Sequence, residues 1–300
     1  MSLRHDDRVP FEKYHGTSND FVIVDADAFI PNRGAFATTY CDRDTGAGAD
    51  DLDDVTPDEG GRVGADGVLF LALEDQYSPP RVIMTLVQPD GSTAAMCGNG
   101  ARCAAAWAAG RTNRREVMVD TQAGTRRARI HADGDVTIEM GVPSFSPRDV
   151  PLARDEPLVA EEVEGVEVTA VNTGVPHAVA FVDDVAGVDV EAVAPAVRHA
   201  GAFPRGANVT FASRTEDGEF VQRTFERGVE GETRSCGTGA VAVVAAAKRL
   251  GLRDGDGPVA VSPPGGELEI TVPDRGTATL RGPVVREYAG ELRRRPADGA

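Results

Sequence analysis

The stretch Met96-Cys97-Gly98-Asn99-Gly100-Ala101-Arg102-Cys103-Ala104-Ala105-Ala106-Trp107 decides how this chain is read. It has an echo in Ser235-Cys236-Gly237-Thr238-Gly239-Ala240-Val241-Ala242-Val243-Val244-Ala245-Ala246. Each is Cys-Gly-x-Gly-Ala running into small apolar residues, at an offset of 139 (236 − 97). A glycine turn followed by good helix formers predicts a helix that starts at each cysteine. At such a start, free backbone N–H groups and the positive end of the helix dipole favour a thiolate. The same N–H groups suit a carboxylate, and glycine lets it come close.

Composition sets limits around this pair. The chain has 300 residues, enough for one large domain or two smaller ones with a sizeable core. With 48 acidic against 31 basic side chains the net charge is −17, which argues against nucleic acid or an anionic membrane as partner. Lys13 and Lys248 are its two lysines; the other basic residues are arginines. An acid-rich, lysine-poor surface suits a halophilic protein that stays soluble at high salt. The N-terminal residues carry no apolar signal core, and the longest apolar run, Ala240–Ala247, is too short to span a bilayer. The expectation is a cytoplasmic protein whose four cysteines, Cys41, Cys97, Cys103 and Cys236, are reduced.

Taken in order, Phe11–Asp20 reads as a polar loop suited to ligand contacts, followed by a buried strand over Phe21–Asp25. An acidic, glycine-rich loop spans Cys41–Asp66. Strands are expected at Val68–Leu73, Val82–Val87 and Val117–Asp120, with the first cysteine helix reaching Gly110. Arg127–His131 and Val136–Met140 read as a hairpin around Asp133-Gly134. Further strands are expected at Val166–Val171, Ala178–Val182, Asn208–Ala212, Phe220–Phe225, Val259–Ser262, Leu268–Val272, Thr277–Arg281 and Val284–Tyr288. A helix is expected over Asp189–Ala200 and a frayed tail from Arg293.

The echo extends beyond the cysteines. Thr85-Leu86 stands opposite Thr224-Phe225 at the same offset, and Gly16–Asp25 resembles Gly174–Asp183, which sets Asn19 opposite His177. The fold class expected is α/β (α+β): two similar domains related by quasi-twofold symmetry, each a curled, mostly antiparallel sheet around a central helix. The first domain is residues 1–124 completed by the strand 284–292, and the second is 125–283. Facing copies would bring the two helix starts together.

Gly237-x-Gly239-x-x-Ala242 fits a dinucleotide pattern, but the polar residues Glu230–Ser235 stand where that pattern needs an apolar strand. The chain has no P-loop, Cys-x-x-Cys or His-x-x-x-His motif, so no metal site is expected. Cys41 and Cys103 read as inert core thiols. Two acid–base groups on opposite faces of one carbon, one thiolate and one thiol, can instead remove a proton from one side and return it on the other. Helix-start N–H groups on an α-carboxylate would steady the developing carbanion. Pyridoxal phosphate would need a lysine, and neither Lys13 nor Lys248 sits in a recognisable motif, so no cofactor is expected.

Tyr14-His15-Gly16-Thr17-Ser18-Asn19-Asp20-Phe21, Cys97–Cys103, Glu226-Arg227-Gly228, Ser235–Ala240, Pro264-Gly265-Gly266 and Tyr288-Ala289-Gly290 together resemble diaminopimelate epimerase, in order and over nearly the whole chain. The resemblance implies cofactor-independent interconversion of LL- and meso-diaminopimelate for lysine synthesis. It also implies two similar α/β domains with the site between them, and often a homodimer. By position it makes Cys97 and Cys236 the two bases and His177 and Glu226 the groups that tune them. Asn19, Gln88, Gly98, Asn99, Asn208, Glu226, Arg227, Gly237 and Thr238 become substrate contacts. The chain departs from the family pattern at Gln88 and Val175, where Asn is usual, and in an acidic insertion between Arg43 and Gly64. A proline racemase-like enzyme of the same fold and a non-catalytic amino-acid-binding protein remain as alternatives. Contacts to a second ammonium and carboxylate would separate the first, and thiol reactivity the second.

Overall fold

The computed structural model describes residues 8–48 and 63–294. The acidic insertion read at residues 50–61 lies outside them. The described residues form two compact units, one within Met1–Val136 and Pro283–Ala300, the other Thr137–Gly282. The sequence reading drew its lines after residues 124 and 283. In the first unit the elements are β1 (Arg8–Gly16), β2 (Asn19–Asp25), α1 (Arg33–Tyr40), β3 (Gly67–Glu74), β4 (Arg81–Val87), β5 (Thr93–Ala94), α2 (Gly98–Thr112), β6 (Glu116–Thr121) and β7 (Gly124–Ile130). The second has β8 (Val136–Gly141), β9 (Glu161–Val163), β10 (Val166–Asn172), β11 (Pro176–Phe181), α3 (Val190–Arg198), β12 (Asn208–Arg214), β13 (Phe220–Glu226), β14 (Gly231–Thr233), α4 (Gly237–Arg249), β15 (Val259–Ser262), β16 (Leu268–Thr271) and β17 (Ala278–Gly282). β18 (Val285–Arg293) returns to the first unit and pairs antiparallel with β1.

The two units share one wiring. In the first, β1 and β2 are antiparallel, β2 and β3 parallel, β3 and β4 antiparallel, β4 and β6 parallel, and β6 and β7 antiparallel. In the second, β10, β11, β12, β13, β15 and β16 repeat that sequence of senses. The short strands β5 and β14 sit at matching places on β4 and β13. An internal duplication explains why the cysteine motifs recur in one register.

Each unit is built around its alanine-rich helix. α2 packs against β1, β2, β3, β4, β6 and β7, and α4 against β10, β11, β12, β13, β15, β16 and β17. A helix buried all round cannot use a single apolar stripe. Small side chains meet this need: Gly237–Ala247 are all buried, as are Gly98–Ala105 and Trp107–Ala109. Strand alternation sends the other faces outward. Val22, Val24, Val68 and Phe70 pack with Phe36 of α1, while Phe21 and Leu69 reach Gly100 of α2. In the second unit Ala178, Ala180, Val209 and Phe211 pack with Ala194 and Val197 of α3.

Two expectations are corrected. Phe11–Gly16 is strand, not loop. Lys13 and polar neighbours mask the alternation, yet Lys13 is fully buried and paired with Asp20 at 2.7 Å. Of the hairpin expected around Asp133-Gly134 the turn forms, with the His131 N–H on the Asp135 carbonyl at 2.8 Å and the Gly134 N–H on the His131 carbonyl at 3.2 Å; β7 also pairs with β6 and β8 with β17. Arg293 ends β18 opposite Arg8, and the rest of the expected tail, from residue 295, lies outside the described residues.

Candidate active site

Cys97 is the N-cap of α2, in extended conformation, and its sulfur accepts the Gly100 N–H at 3.5 Å. The thiol also lies 3.6 Å from Asn19 Oδ1. Asn19 is held on both sides: its amide donates to Asp66 at 2.7 Å, and Oδ1 accepts from Asn99 Nδ2 at 3.3 Å. The tight turn from β1 to β2 sets this up, with Thr17 and Ser18 both at positive φ. A β-branched residue at φ 51° is a genuine outlier. There Thr17 accepts from Arg102 Nη2 at 3.2 Å, while Arg102 Nη1 donates to Asn99 Oδ1 at 2.9 Å. Asp66 is tied to Arg43, which forks onto Asp20 at 2.7 and 2.9 Å. Burial works against the Asp20 anion, but Arg43 and Lys13 hold its pKa down to about 2. Burial and the neighbouring Asp20 raise Asp66.

Cys236 is the N-cap of α4, but its side chain makes no cap hydrogen bond. Its sulfur lies 3.4 Å from Thr238 Oγ1. Thr238 Oγ1 in turn lies 3.0 Å from His177 Nε2, so His177 reaches the thiol through a hydroxyl. Its other nitrogen, Nδ1, faces Thr210 Oγ1 at 3.0 Å, and Thr210 faces Thr224 at 3.2 Å. Burial first, then the Arg227 charge, push the His177 pKa down to about 3, so the ring is neutral near pH 7. The tautomer follows from Asn208, whose Oδ1 accepts the Arg227 N–H at 2.8 Å. That orientation turns Asn208 Nδ2 towards His177 Nε2 at 3.3 Å, making Nε2 the acceptor and placing the proton on Nδ1. Gly239 lets the helix start sit close to these hydroxyls: a Cβ there would lie 3.1 Å from Thr224 Oγ1 and 3.3 Å from Thr210 Oγ1.

Among the residues singled out in the sequence, Asn19, Cys97, Gly98 and Asn99 gather at the start of α2. His177, Asn208, Cys236, Gly237 and Thr238 gather at the start of α4. Arg227 joins the second group through its backbone, and its guanidinium donates to the Arg205 and Gly206 carbonyls at 3.1 and 3.4 Å. Glu226 ends β13 and accepts from Thr233. Gln88 sits in the turn after β4, where its backbone pairs with Ser92 and Gly91. Cys41 and Cys103 are buried, and burial pushes both thiols up to about 12. Sequence reading missed Asp66, Arg43, Thr17, Arg102, Thr210 and Thr173, whose hydroxyl holds the Thr238 carbonyl at 2.8 Å. Arg102 lay inside the quoted motif, and Thr224 inside the Thr85/Thr224 echo.

These two units, each with a cysteine at its central helix start, belong to a fold shared by amino-acid epimerases, racemases and related isomerases. A hydroxyproline epimerase from Agrobacterium vitis superposes with a TM-score of 0.61 at 19% identity, covering 97% of this chain and 94% of its own. A PhzF-family phenazine biosynthesis protein from Bacillus anthracis gives 0.63 at 14%, covering 95% and 99%. The sequence is more selective. The family model for diaminopimelate epimerase matches residues 11–146 and 169–287. Diaminopimelate epimerases from Methanocella arvoryzae and Methanothrix thermoacetophila are 42% and 39% identical, over 95% and 94% of this chain and 97% and 95% of theirs. The chain belongs to the diaminopimelate epimerase family.

Proposed function

We propose that this protein interconverts LL- and meso-2,6-diaminopimelate in lysine biosynthesis, without a cofactor, using Cys97 and Cys236 as its two acid–base groups. The observation that carries the reading is the pair of helix-start cysteines, one in each copy of a duplicated unit, in a chain that matches this family almost end to end.

In this reading the α-carboxylate sits on the N–H groups of Gly98-Asn99 and Gly237-Thr238, where glycine permits close approach and negative charge is favoured. One cysteine, as thiolate, takes the α-proton. The other, as thiol, delivers its proton to the opposite face, and the roles exchange in the reverse direction. Asn19, Gln88, Asn208, Glu226 and Arg227 complete the substrate contacts. The Arg227 guanidinium suits a carboxylate and Glu226 an ammonium group. His177 and Glu226 tune the thiols, His177 through Thr238. The proposal includes a cytoplasmic homodimer, to be checked by light scattering of the purified protein; no described helix is long and apolar enough to cross a membrane.

The test is purified protein with LL-diaminopimelate and no added cofactor, at several salt concentrations, with stereoisomers resolved by chromatography. Formation of the meso isomer, with solvent deuterium at the inverted carbon when run in deuterated water, is expected. Turnover of proline but not diaminopimelate, or a requirement for pyridoxal phosphate, would overturn the reading.

A further inference from the structure

Arg102 is fully buried in α2, directly behind the Cys97 motif. Its guanidinium donates to two neutral oxygens, Asn99 Oδ1 and Thr17 Oγ1, and Nε has no partner among the described residues. It forms no ion pair among the described residues. A buried guanidinium without a carboxylate is costly, and such a charge is retained where another group supplies the balance. Burial brings its pKa down to about 10, so it stays charged near neutrality, and Cys103, Cys97 and Asp135 are the groups that favour that charge. Of these, Cys103 is neutral behind its own burial. Asp135 is half-buried and makes no ion pair with Arg102. The carboxylates near Cys97 are matched elsewhere: Asp20 by Lys13 and Arg43, Asp66 by Arg43. On the strands around α2, Glu12 is matched by Arg111 and Arg286, Glu116 by Arg127 and Asp120 by Arg81, while Glu287 of β18 bears on Cys103.

The second unit is different at each matching point. Position 102 corresponds to Val241, a buried apolar residue. Gly100 N–H caps the Cys97 sulfur, whereas Cys236 makes no such cap. Neutral His177 offers Nε2 as an acceptor, so Thr238 donates its hydroxyl proton there and its oxygen is left to accept from Cys236 S–H. That chain orders a proton on Cys236.

We propose that the substrate-free protein rests with Cys97 as thiolate and Cys236 as thiol, and that Arg102 is the buried countercharge that keeps Cys97 ionised. The assignment rests on the two-thiol reading and adds a direction to it: Cys97 is the base for the first substrate bound. The contact from Cys97 to Asn19 Oδ1 at 3.6 Å serves the thiol form that the reverse step requires. A sulfur is a weak donor, and one such contact is outweighed by an N–H bond and a full buried charge. Arg102 acts through Cys97 and is a positioning residue.

The experiment is alkylation of substrate-free protein with iodoacetamide across pH, with each cysteine peptide followed by mass spectrometry. The pH midpoint is read rather than the rate, because the two thiols differ in exposure. Cys97 is expected to have the lower midpoint. Arg102→Gln keeps polar contacts but removes the charge. It is expected to raise the Cys97 midpoint by on the order of one pH unit and leave that of Cys236 in place. Arg102→Lys should restore most of the difference. A Cys236 midpoint equal to or below that of Cys97, or an unmoved Cys97 midpoint in folded Arg102→Gln, would overturn the proposal. If Arg102→Gln does not fold, Arg102→Met, apolar like Val241 at the matching position, is read in the same way: an unmoved Cys97 midpoint in it overturns the proposal. Labelling needs no turnover, so a protein that labels as expected yet fails to epimerise diaminopimelate would sink the functional reading alone.

Discussion

On one helix, Cys97 and Cys103 occupy opposite surroundings. Cys103 is fully buried, and burial pushes its thiol up to about 12. Cys97 is half-buried, with its sulfur on a helix-start N–H. The first turn of a helix favours a thiolate, and burial disfavours one. Cys97→Ser and Cys236→Ser are each expected to lower epimerisation by roughly 10²–10⁴-fold, the range of one lost acid–base group, with the fold intact. Chiral analysis and circular dichroism check this; near-wild-type turnover in either would remove that cysteine from the mechanism. His177 carries a stability prediction. Its folded pKa, about 3, lies below the ordinary histidine value of 6.5. The unfolded chain therefore binds more protons between these values, and the stabilising contribution, full above pH 6.5, is lost as pH falls through the window. The slope is about 1.4 kcal/mol per pH unit. Melting curves from pH 7 to pH 4 should fall more steeply for wild type than for His177→Gln. Parallel curves would show that the histidine is not buried neutral.

At the scale of elements, the two alanine-rich helices were legible because composition states their environment: small residues on every face leave room for sheet on every side. β1 was not, because a buried Lys13 and its Asp20 partner look polar in sequence while acting as core in the fold. The 8-residue α1 carries too little periodicity to be read, although its Asn32 cap, which accepts the Ala35 N–H at 3.0 Å, is a usable signal. β18 binds the end of the chain to its beginning. It buries Tyr288 and Leu292 and seats Tyr288 edge-on against Phe11. Truncation before Val285 is expected to destabilise the first unit by at least about 3 kcal/mol, since each such side chain contributes about 1.5–3 kcal/mol on burial. It also bares the β1 edge for aggregation. Thermal melting and sedimentation of the truncated chain provide the check; unchanged melting would deny β18 a structural role.

For the molecule as a whole, the net charge of −17 sets the response to salt. Like charges spread over the surface repel at low ionic strength, and at 1 M the screening length falls to about 3 Å. Thermal stability is expected to rise from low to molar salt. A melting temperature that stays constant would show that the acidic surface is neutral to folding. The duplication adds a second large-scale property: identical wiring has been kept in both units while their polar networks have diverged. The first places a buried arginine behind its cysteine, and the second a neutral histidine beside one.

Local chemistry was readable from the residues alone. Glycine before alanine fixes a helix start, a repeated register fixes a duplication, and two thiols in matching frames point to paired acid–base work, because these depend on neighbours along the chain. The tuning of each thiol does not. Asn99 meets Thr17 across 82 positions, and His177 meets Thr238 across 61. Burial, which neutralises His177 and encloses Arg102, is a property of the packed sheet and helix. Strand pairing alone brings those groups together and excludes the water that would otherwise make their charges unimportant.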